Sequence, residues 1–66
     1  MQILVNDEPT HYADGLSVAE LMTTLDQDKP GVALALNQQI LPRAKWERQP
    51  LREGDELVLF QVIAGG

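Results

Sequence analysis

The apolar residues fall into short stretches that turn-forming residues separate. Stretches rich in β-branched and aliphatic residues predict four strands and a short return strand, at residues 1–6 (MQILVN), 10–13 (THYA), 32–37 (VALALN), 37–41 (NQQIL) and 56–63 (ELVLFQVI). Asp7-Glu8-Pro9 is predicted to be the turn that joins the first two strands in a hairpin. Gly54 is expected to take a positive φ in the turn before the last strand.

One segment has the periodicity of an amphipathic helix. Ser17-Val18-Ala19-Glu20 matches the capping box, in which Ser17 accepts from a free amide and Glu20 reaches back to the Ser17 N–H. An apolar stripe follows at the spacing i, i+3, i+4 and i+7, formed by Val18, Leu21, Met22 and Leu25. Pro30-Gly31 cannot continue the helix, so we expect it to end between Leu25 and Gln27.

The order of these elements is strand, strand, helix, strand, short strand, strand. A helix that crosses one face of a mixed sheet buries both apolar surfaces. The first and last strands are the most apolar, so we expect them to lie centrally and to pair in parallel. The pattern therefore predicts an α+β, β-grasp fold with four to five strands and one main helix. The predicted domain spans residues 1–63, and residues 64–66 are predicted to form a flexible tail.

The composition of the chain excludes several classes of functional site and binding partner. The chain has 66 residues, a net charge of -5, no cysteine and one histidine. It therefore has no disulfide, no thiolate nucleophile and no ordinary four-ligand zinc site. The acidic balance argues against nucleic acid or an anionic membrane as a partner and favours a basic protein surface. The longest apolar run, Val32–Leu36, is far short of the about 20 residues of a membrane span, and no leader is evident, so a cytoplasmic location is expected.

The C-terminal Gly65-Gly66 is open to two interpretations. Chain ends are often disordered, so the pair could be a frayed terminus. Alternatively, because glycine has no Cβ, the two residues could extend through a channel too narrow for any side chain. They would also leave the terminal carboxylate of Gly66 accessible to a reacting phosphate.

The whole chain resembles the ThiS family of ubiquitin-like sulfur carriers. The specific part is Gly54-Asp55-Glu56-Leu57-Val58-Leu59-Phe60, followed at fixed spacing by Ile63-Ala64-Gly65-Gly66. The first strand, the helix start and Val32–Asn37 are also similar. The related MoaD carriers of molybdopterin synthesis are usually longer and often have proline before the glycines. Val62-Ile63-Ala64 stands there in this chain, which favours ThiS.

The resemblance implies chemistry performed on the protein by other enzymes. A ThiF-type adenylyltransferase would use ATP to convert the Gly66 carboxylate into an acyl-adenylate. A persulfide donor would then yield a thiocarboxylate, and a ThiG-type thiazole synthase would accept its sulfur. The chain itself would be no enzyme, would bind no cofactor and would be a monomer when free. Gly65 and Ala64 would form the tail that reaches into these enzymes.

The last strand offers a second candidate feature. Val58, Phe60 and Val62 share one face, whereas Leu57, Leu59, Gln61 and Ile63 share the other. Sequence does not decide which set meets the helix. In the family, the phenylalanine that corresponds to Phe60 contributes to the partner-binding surface, and we assign Phe60, Val62 and Ile63 to it. A buried core phenylalanine is the alternative.

Other candidates are weaker. His11 is expected to be a surface histidine, because no motif gives it a nucleophile or carboxylate partner. Trp46, in a polar stretch (43–50) expected to be irregular, is predicted to cap a small core. The isolated glycines form no phosphate-binding loop, so ATP is expected to bind the partner enzyme. A non-activated β-grasp docking module remains the alternative to a sulfur carrier, and a small enzyme is disfavoured.

Overall fold

The predicted strands assemble into one mixed sheet. The computed structural model describes residues 1–62. Five strands occur in the order β2-β1-β5-β3-β4, with the bounds Gln2–Val5 (β1), Glu8–His11 (β2), Val32–Leu36 (β3), Gln39–Ile40 (β4) and Glu56–Gln61 (β5). Strand β5 pairs in parallel with β1 and antiparallel with β3. The predicted α+β arrangement, with the first and last strands paired in parallel at the centre, is confirmed.

The main helix begins where the capping box predicts. Helix α1 spans Val18–Thr24, and Leu25 is its C-cap residue. The Ser17 Oγ accepts the Glu20 N–H at 3.1 Å, and the Glu20 Oε1 accepts the Ser17 N–H at 3.1 Å. Both free amides are thereby satisfied at the first turn. Of the apolar stripe, Val18, Leu21 and Met22 are fully buried and Leu25 is partly buried, so the helix is held by packing as well as by its cap.

The core lies between α1 and one face of the sheet. The buried core residues come from the sheet, from α1 and from the segment between β4 and β5. They are Ile3, Val18, Leu21, Met22, Val32, Leu34, Trp46, Leu51 and Leu57. Residues Arg43–Arg48, expected to be irregular, form a short 3₁₀ helix instead. This helix places Trp46 in the core, where only 4% of the residue is exposed and its Nε1–H donates to the Leu41 carbonyl at 3.0 Å. The prediction that Trp46 caps a core is confirmed.

The first hairpin turn differs from the prediction. The turn residues are Asn6 and Asp7, with φ of 49° and 68°, rather than Asp7-Glu8-Pro9. Two successive residues at positive φ match the strand twist of a two-residue hairpin, and Asn and Asp tolerate that conformation. Pro9 lies inside β2, opposite Leu4. Because β2 is an edge strand, a proline there interrupts no central ladder.

Across residues 1–62, none of the helices has both the length and the apolar character needed to cross a bilayer.

Candidate functional site

Strand β5 presents one apolar face to the helix and the other to solvent. Leu57 is 1% exposed and belongs to the core, whereas its neighbour Val58 is 47% exposed. Phe60 is 38% exposed, and Val62 is 58% exposed. The set Val58, Phe60 and Val62 therefore faces outward, which settles the question that the sequence left open. Phe60 is not a buried core residue.

The exposed residues of β5 form part of a larger apolar surface. We call Ile40, Val58, Phe60 and Val62 the outer patch. Across the sheet, Ala35 lies opposite both Val58 and Ile40, and Ala33 lies opposite Phe60. These small residues leave a shallow surface between the larger side chains. An exposed apolar cluster of this kind is typical of a docking site.

Ile40 was missed as a site residue by the sequence reasoning. It is 65% exposed and lies in the two-residue strand β4. The sequence feature that could have identified it is a large aliphatic residue next to a polar turn. This residue lies on a return strand, opposite a small residue of β3. That signal identifies a site residue only once the register of β4 and β5 with β3 is known.

Two asparagines fix β5 in the sheet from its two sides. The Asn6 N–H donates to the Leu57 carbonyl at 2.9 Å, and the Asn6 Oδ1 accepts the Leu59 N–H at 2.8 Å. On the β3 side, the Asn37 Oδ1 accepts the Glu56 N–H at 3.0 Å, and the Asn37 N–H donates to the Glu56 carbonyl at 2.8 Å. Asn6 directly follows the last residue of β1, and Asn37 directly follows the last residue of β3. Each asparagine therefore continues the hydrogen bonding to β5 beyond the end of the neighbouring strand.

The end of β5 is held by a loop. The Val62 N–H donates to the Gly31 carbonyl at 2.7 Å. This hydrogen bond continues the β3–β5 ladder by one step and fixes the last residue that the structure describes. The residues assigned to the tail and to the partner-binding surface beyond it, Ile63, Ala64, Gly65 and Gly66, lie outside the described residues.

The charged side chains are mostly exposed, and few of them form ion pairs in the described part of the chain. Within residues 1–62 the ion pairs join the N-terminal amine to Asp14 at 3.2 Å and Lys29 to Asp26 at 3.4 Å. No polar or charged side chain in this part of the chain is buried. Eight of the ten acidic residues therefore form no ion pair within this range, although Glu20, Asp28, Glu53 and Asp55 accept hydrogen bonds.

The other candidate residues form no catalytic group. His11 is exposed at the end of the edge strand β2, as expected of a surface histidine. The described part of the chain holds no cluster of three or more histidine, cysteine or acidic residues that could bind a metal ion. The outer patch and the strand end at Val62 are therefore the candidate site that the structure describes.

Comparison with known proteins assigns the family. The model of the ThiS family matches residues 3–66. The sulfur carrier protein ThiS of Escherichia coli strain K12 is 53% identical over 66 residues, which cover all of both chains. A thiazole synthase of Paramagnetospirillum magneticum is 27% identical over the same 66 residues, which make up 20% of its length.

The fold comparison agrees with the sequence comparison. The crystal structure of the thiamine biosynthesis protein ThiS from Geobacter metallireducens superposes with a TM-score of 0.88 at 28% identity. The superposition covers all of both chains. Since sequence and structure match over the full length, the chain belongs to the ThiS family.

Proposed function

We propose that this protein carries sulfur for the formation of the thiamine thiazole, and that the sulfur is attached at the Gly66 carboxyl group. The observation that supports this most strongly is the 53% identity to the Escherichia coli sulfur carrier over the full length. Residues 65 and 66 are both glycine, as the resemblance implies for the tail of these carriers. The match of the whole chain to part of a thiazole synthase supports thiazole formation as the destination.

The proposed chemistry begins with activation of the Gly66 carboxylate. A carboxylate is a poor electrophile, so one of its oxygens attacks the α-phosphorus of ATP and pyrophosphate leaves. The resulting acyl-adenylate has AMP as a good leaving group. The terminal sulfur of a persulfide on a partner protein then attacks the carbonyl carbon and displaces AMP, which gives an acyl disulfide. A second thiol attacks the partner's sulfur of that disulfide, so a new disulfide forms between the two thiol groups and the thiocarboxylate is released. ATP binds the adenylyltransferase in this scheme, and the chain supplies only the carboxylate.

The folded domain serves as the binding surface for the enzymes that act on Gly66. Recognition through the domain supplies binding energy far from the reacting atom and holds the carboxylate in place. We assign this recognition to the outer patch, of which Phe60 and Val62 were predicted from the sequence, and we retain Ile63 as a predicted contact. The partners are a ThiF-type adenylyltransferase and a ThiG-type thiazole synthase. The free carrier is expected to be a monomer in the cytoplasm.

The lack of cysteine suits a protein with an activated C-terminus. An internal thiol could attack the acyl-adenylate and end the cycle in an unproductive thioester. The sequence contains no cysteine. The only thiols in the reaction then belong to the partner proteins.

The test is ATP–pyrophosphate exchange by the adenylyltransferase with the purified protein as carrier. We expect exchange that depends on the carrier. After a persulfide donor is added, we expect an intact mass increased by the difference between sulfur and oxygen. If exchange is absent and the protein still binds the enzyme, the chain is a docking module that is never activated, and the proposal is wrong.

The contribution of the outer patch can be measured separately with Phe60→Ser. We expect the apparent KM for the carrier in pyrophosphate exchange to rise about tenfold, because an interface aromatic contributes at least about 1–2 kcal/mol. The kcat should stay close to that of the wild type, since the tail is unchanged. Phe60→Leu, which keeps an apolar contact, should retain most of the affinity.

Ala44→Ser is the control for a polar change at an exposed position outside the patch. It should leave both constants unchanged. An unchanged KM for Phe60→Ser, with the fold confirmed by circular dichroism, would remove Phe60 from the interface.

A further inference from the structure

The loop before β3 holds the end of β5 through one glycine. In the turn Lys29–Val32, the Val32 N–H donates to the Lys29 carbonyl at 3.3 Å. Pro30 occupies the second position, and Gly31 occupies the third with a φ of 86°. This arrangement is typical of a type II turn, which requires a positive φ at its third residue. The Gly31 carbonyl accepts the Val62 N–H at 2.7 Å, so the turn sets where the strand end lies.

Arg43 binds the backbone on both sides of Gly31. One guanidinium nitrogen, Nη2, donates to the carbonyls of Lys29 at 2.6 Å and Val32 at 3.2 Å. The other, Nη1, donates to the Asp28 carbonyl at 3.2 Å. A single side chain therefore spans the loop from its first residue to the start of β3. Its position fixes the turn that contains Gly31.

The guanidinium itself rests on the core. Its central carbon lies 4.3 Å from the centre of the Trp46 ring, in a cation–π contact. Trp46 is buried and held by its hydrogen bond to the Leu41 carbonyl, so it provides a rigid platform. The loop is thus connected to the core through Arg43, independently of the sheet hydrogen bonds. Of the outer patch, this connection reaches Val62 alone, through the Gly31 carbonyl.

We propose that Arg43 is a positioning residue for the C-terminal tail: by holding the 28–32 loop, it fixes Val62 and so the point from which residues 63–66 start. The proposal rests on the proposed function, because its consequence is how accurately Gly66 is presented to the adenylyltransferase. Lysine cannot replace arginine here, since a single ammonium lacks the planar fork that reaches three carbonyls while stacking on an aromatic ring.

Variants of the outer patch and variants of Arg43 are expected to change different kinetic constants. The outer patch supplies affinity, so its variants raise KM. Loss of Arg43 changes no residue of that patch and leaves Ile40, Val58 and Phe60 in place, but it widens the range of positions of Val62 at the strand end. A small misplacement of a reacting group can cost about 10²-fold in rate. We therefore expect a lower kcat at an unchanged KM.

The test compares Arg43→Lys with Arg48→Lys, the matched control. Arg48 is exposed in the same 3₁₀ helix, and its side chain makes no hydrogen bond or ion pair within residues 1–62. In pyrophosphate exchange, Arg43→Lys should lower kcat about tenfold with KM within about twofold of wild type. Hydrogen exchange of the Val62 amide should be faster in Arg43→Lys and unchanged in Arg48→Lys.

Gly31→Ala tests the same connection from the other end. Alanine rarely adopts a φ of 86°, and its Cβ would lie 3.6 Å from the Val62 carbonyl oxygen, which is an ordinary contact. The variant therefore strains the turn without a steric clash and without changing Arg43. It should show the same lower kcat and faster Val62 exchange. An unchanged kcat and a protected Val62 amide in Gly31→Ala would overturn the proposal even if Arg43→Lys does not fold.

Two kinds of result would contradict these expectations. A wild-type kcat with a protected Val62 amide in Arg43→Lys, or a rise in KM alone, would overturn the positioning role. A wild-type protein that supports no pyrophosphate exchange would overturn the proposed function instead. In that case Val62 exchange in the two lysine variants still decides whether Arg43 holds the strand end.

Discussion

Deletion of Gly66 is expected to abolish adenylation and thiocarboxylate formation while the domain stays folded. The chain would then end in Gly65, and its carboxylate would stop one residue short of the reacting phosphate. Because the proposed catalysis depends on placing that carboxylate within reach of ATP, a displacement of one residue removes the full positional advantage, which is worth several kcal/mol. Pyrophosphate exchange and intact mass after incubation with the persulfide donor are the measurements.

Addition of one alanine after Gly66 is expected to have the same effect. The added residue moves the carboxylate away and brings a side chain to the end of the tail. A matched control carries a longer extension with a protease site directly after Gly66, and cleavage should restore full exchange. Circular dichroism should show the same melting temperature for all of these proteins. If the extended protein is adenylated without being trimmed, Gly66 is not the acceptor.

Leu57→Ala is expected to have the largest effect on stability. Leu57 is 1% exposed on the central strand β5. A buried leucine replaced by alanine typically costs about 2–5 kcal/mol, through lost burial and the cavity left behind. Domains of this size have a total stability near the low end of about 5–15 kcal/mol, so a large part would be lost. Urea denaturation and thermal melting are the measurements.

Val58→Ala is the matched control, one residue further along the same strand. Val58 is 47% exposed and belongs to the outer patch, so its substitution should change the free energy of unfolding by less than about 1 kcal/mol. Each 1 kcal/mol shifts the melting temperature by roughly 4–8 °C in a domain this small, so the two variants should differ clearly. Equal destabilisation by both would mean that the two faces of β5 are buried alike.

The fold was predicted well because local signals agree with the tertiary structure. Ser17 and Glu20 placed the helix start correctly, since a capping box needs only residues three apart. The alternation in Val32–Leu36 placed β3 correctly. The first turn was predicted wrongly because the fixed φ of Pro9 suggested a break. Its place on an edge strand, where proline is tolerated, depends on the order of the strands.

The sequence by itself predicted the strands, the main helix and the family, because each depends on residue types at short or fixed spacings, and the proposed chemistry at Gly66 follows from that family resemblance. Only the tertiary structure decided which face of β5 is exposed. Both faces carry large aliphatic residues, and α1 covers one of them. The tertiary structure also placed Ile40 and Val58 on the two sides of Ala35, and it placed Arg43 against the loop that holds Val62. Those contacts join residues distant in sequence, so no local pattern of residues encodes them.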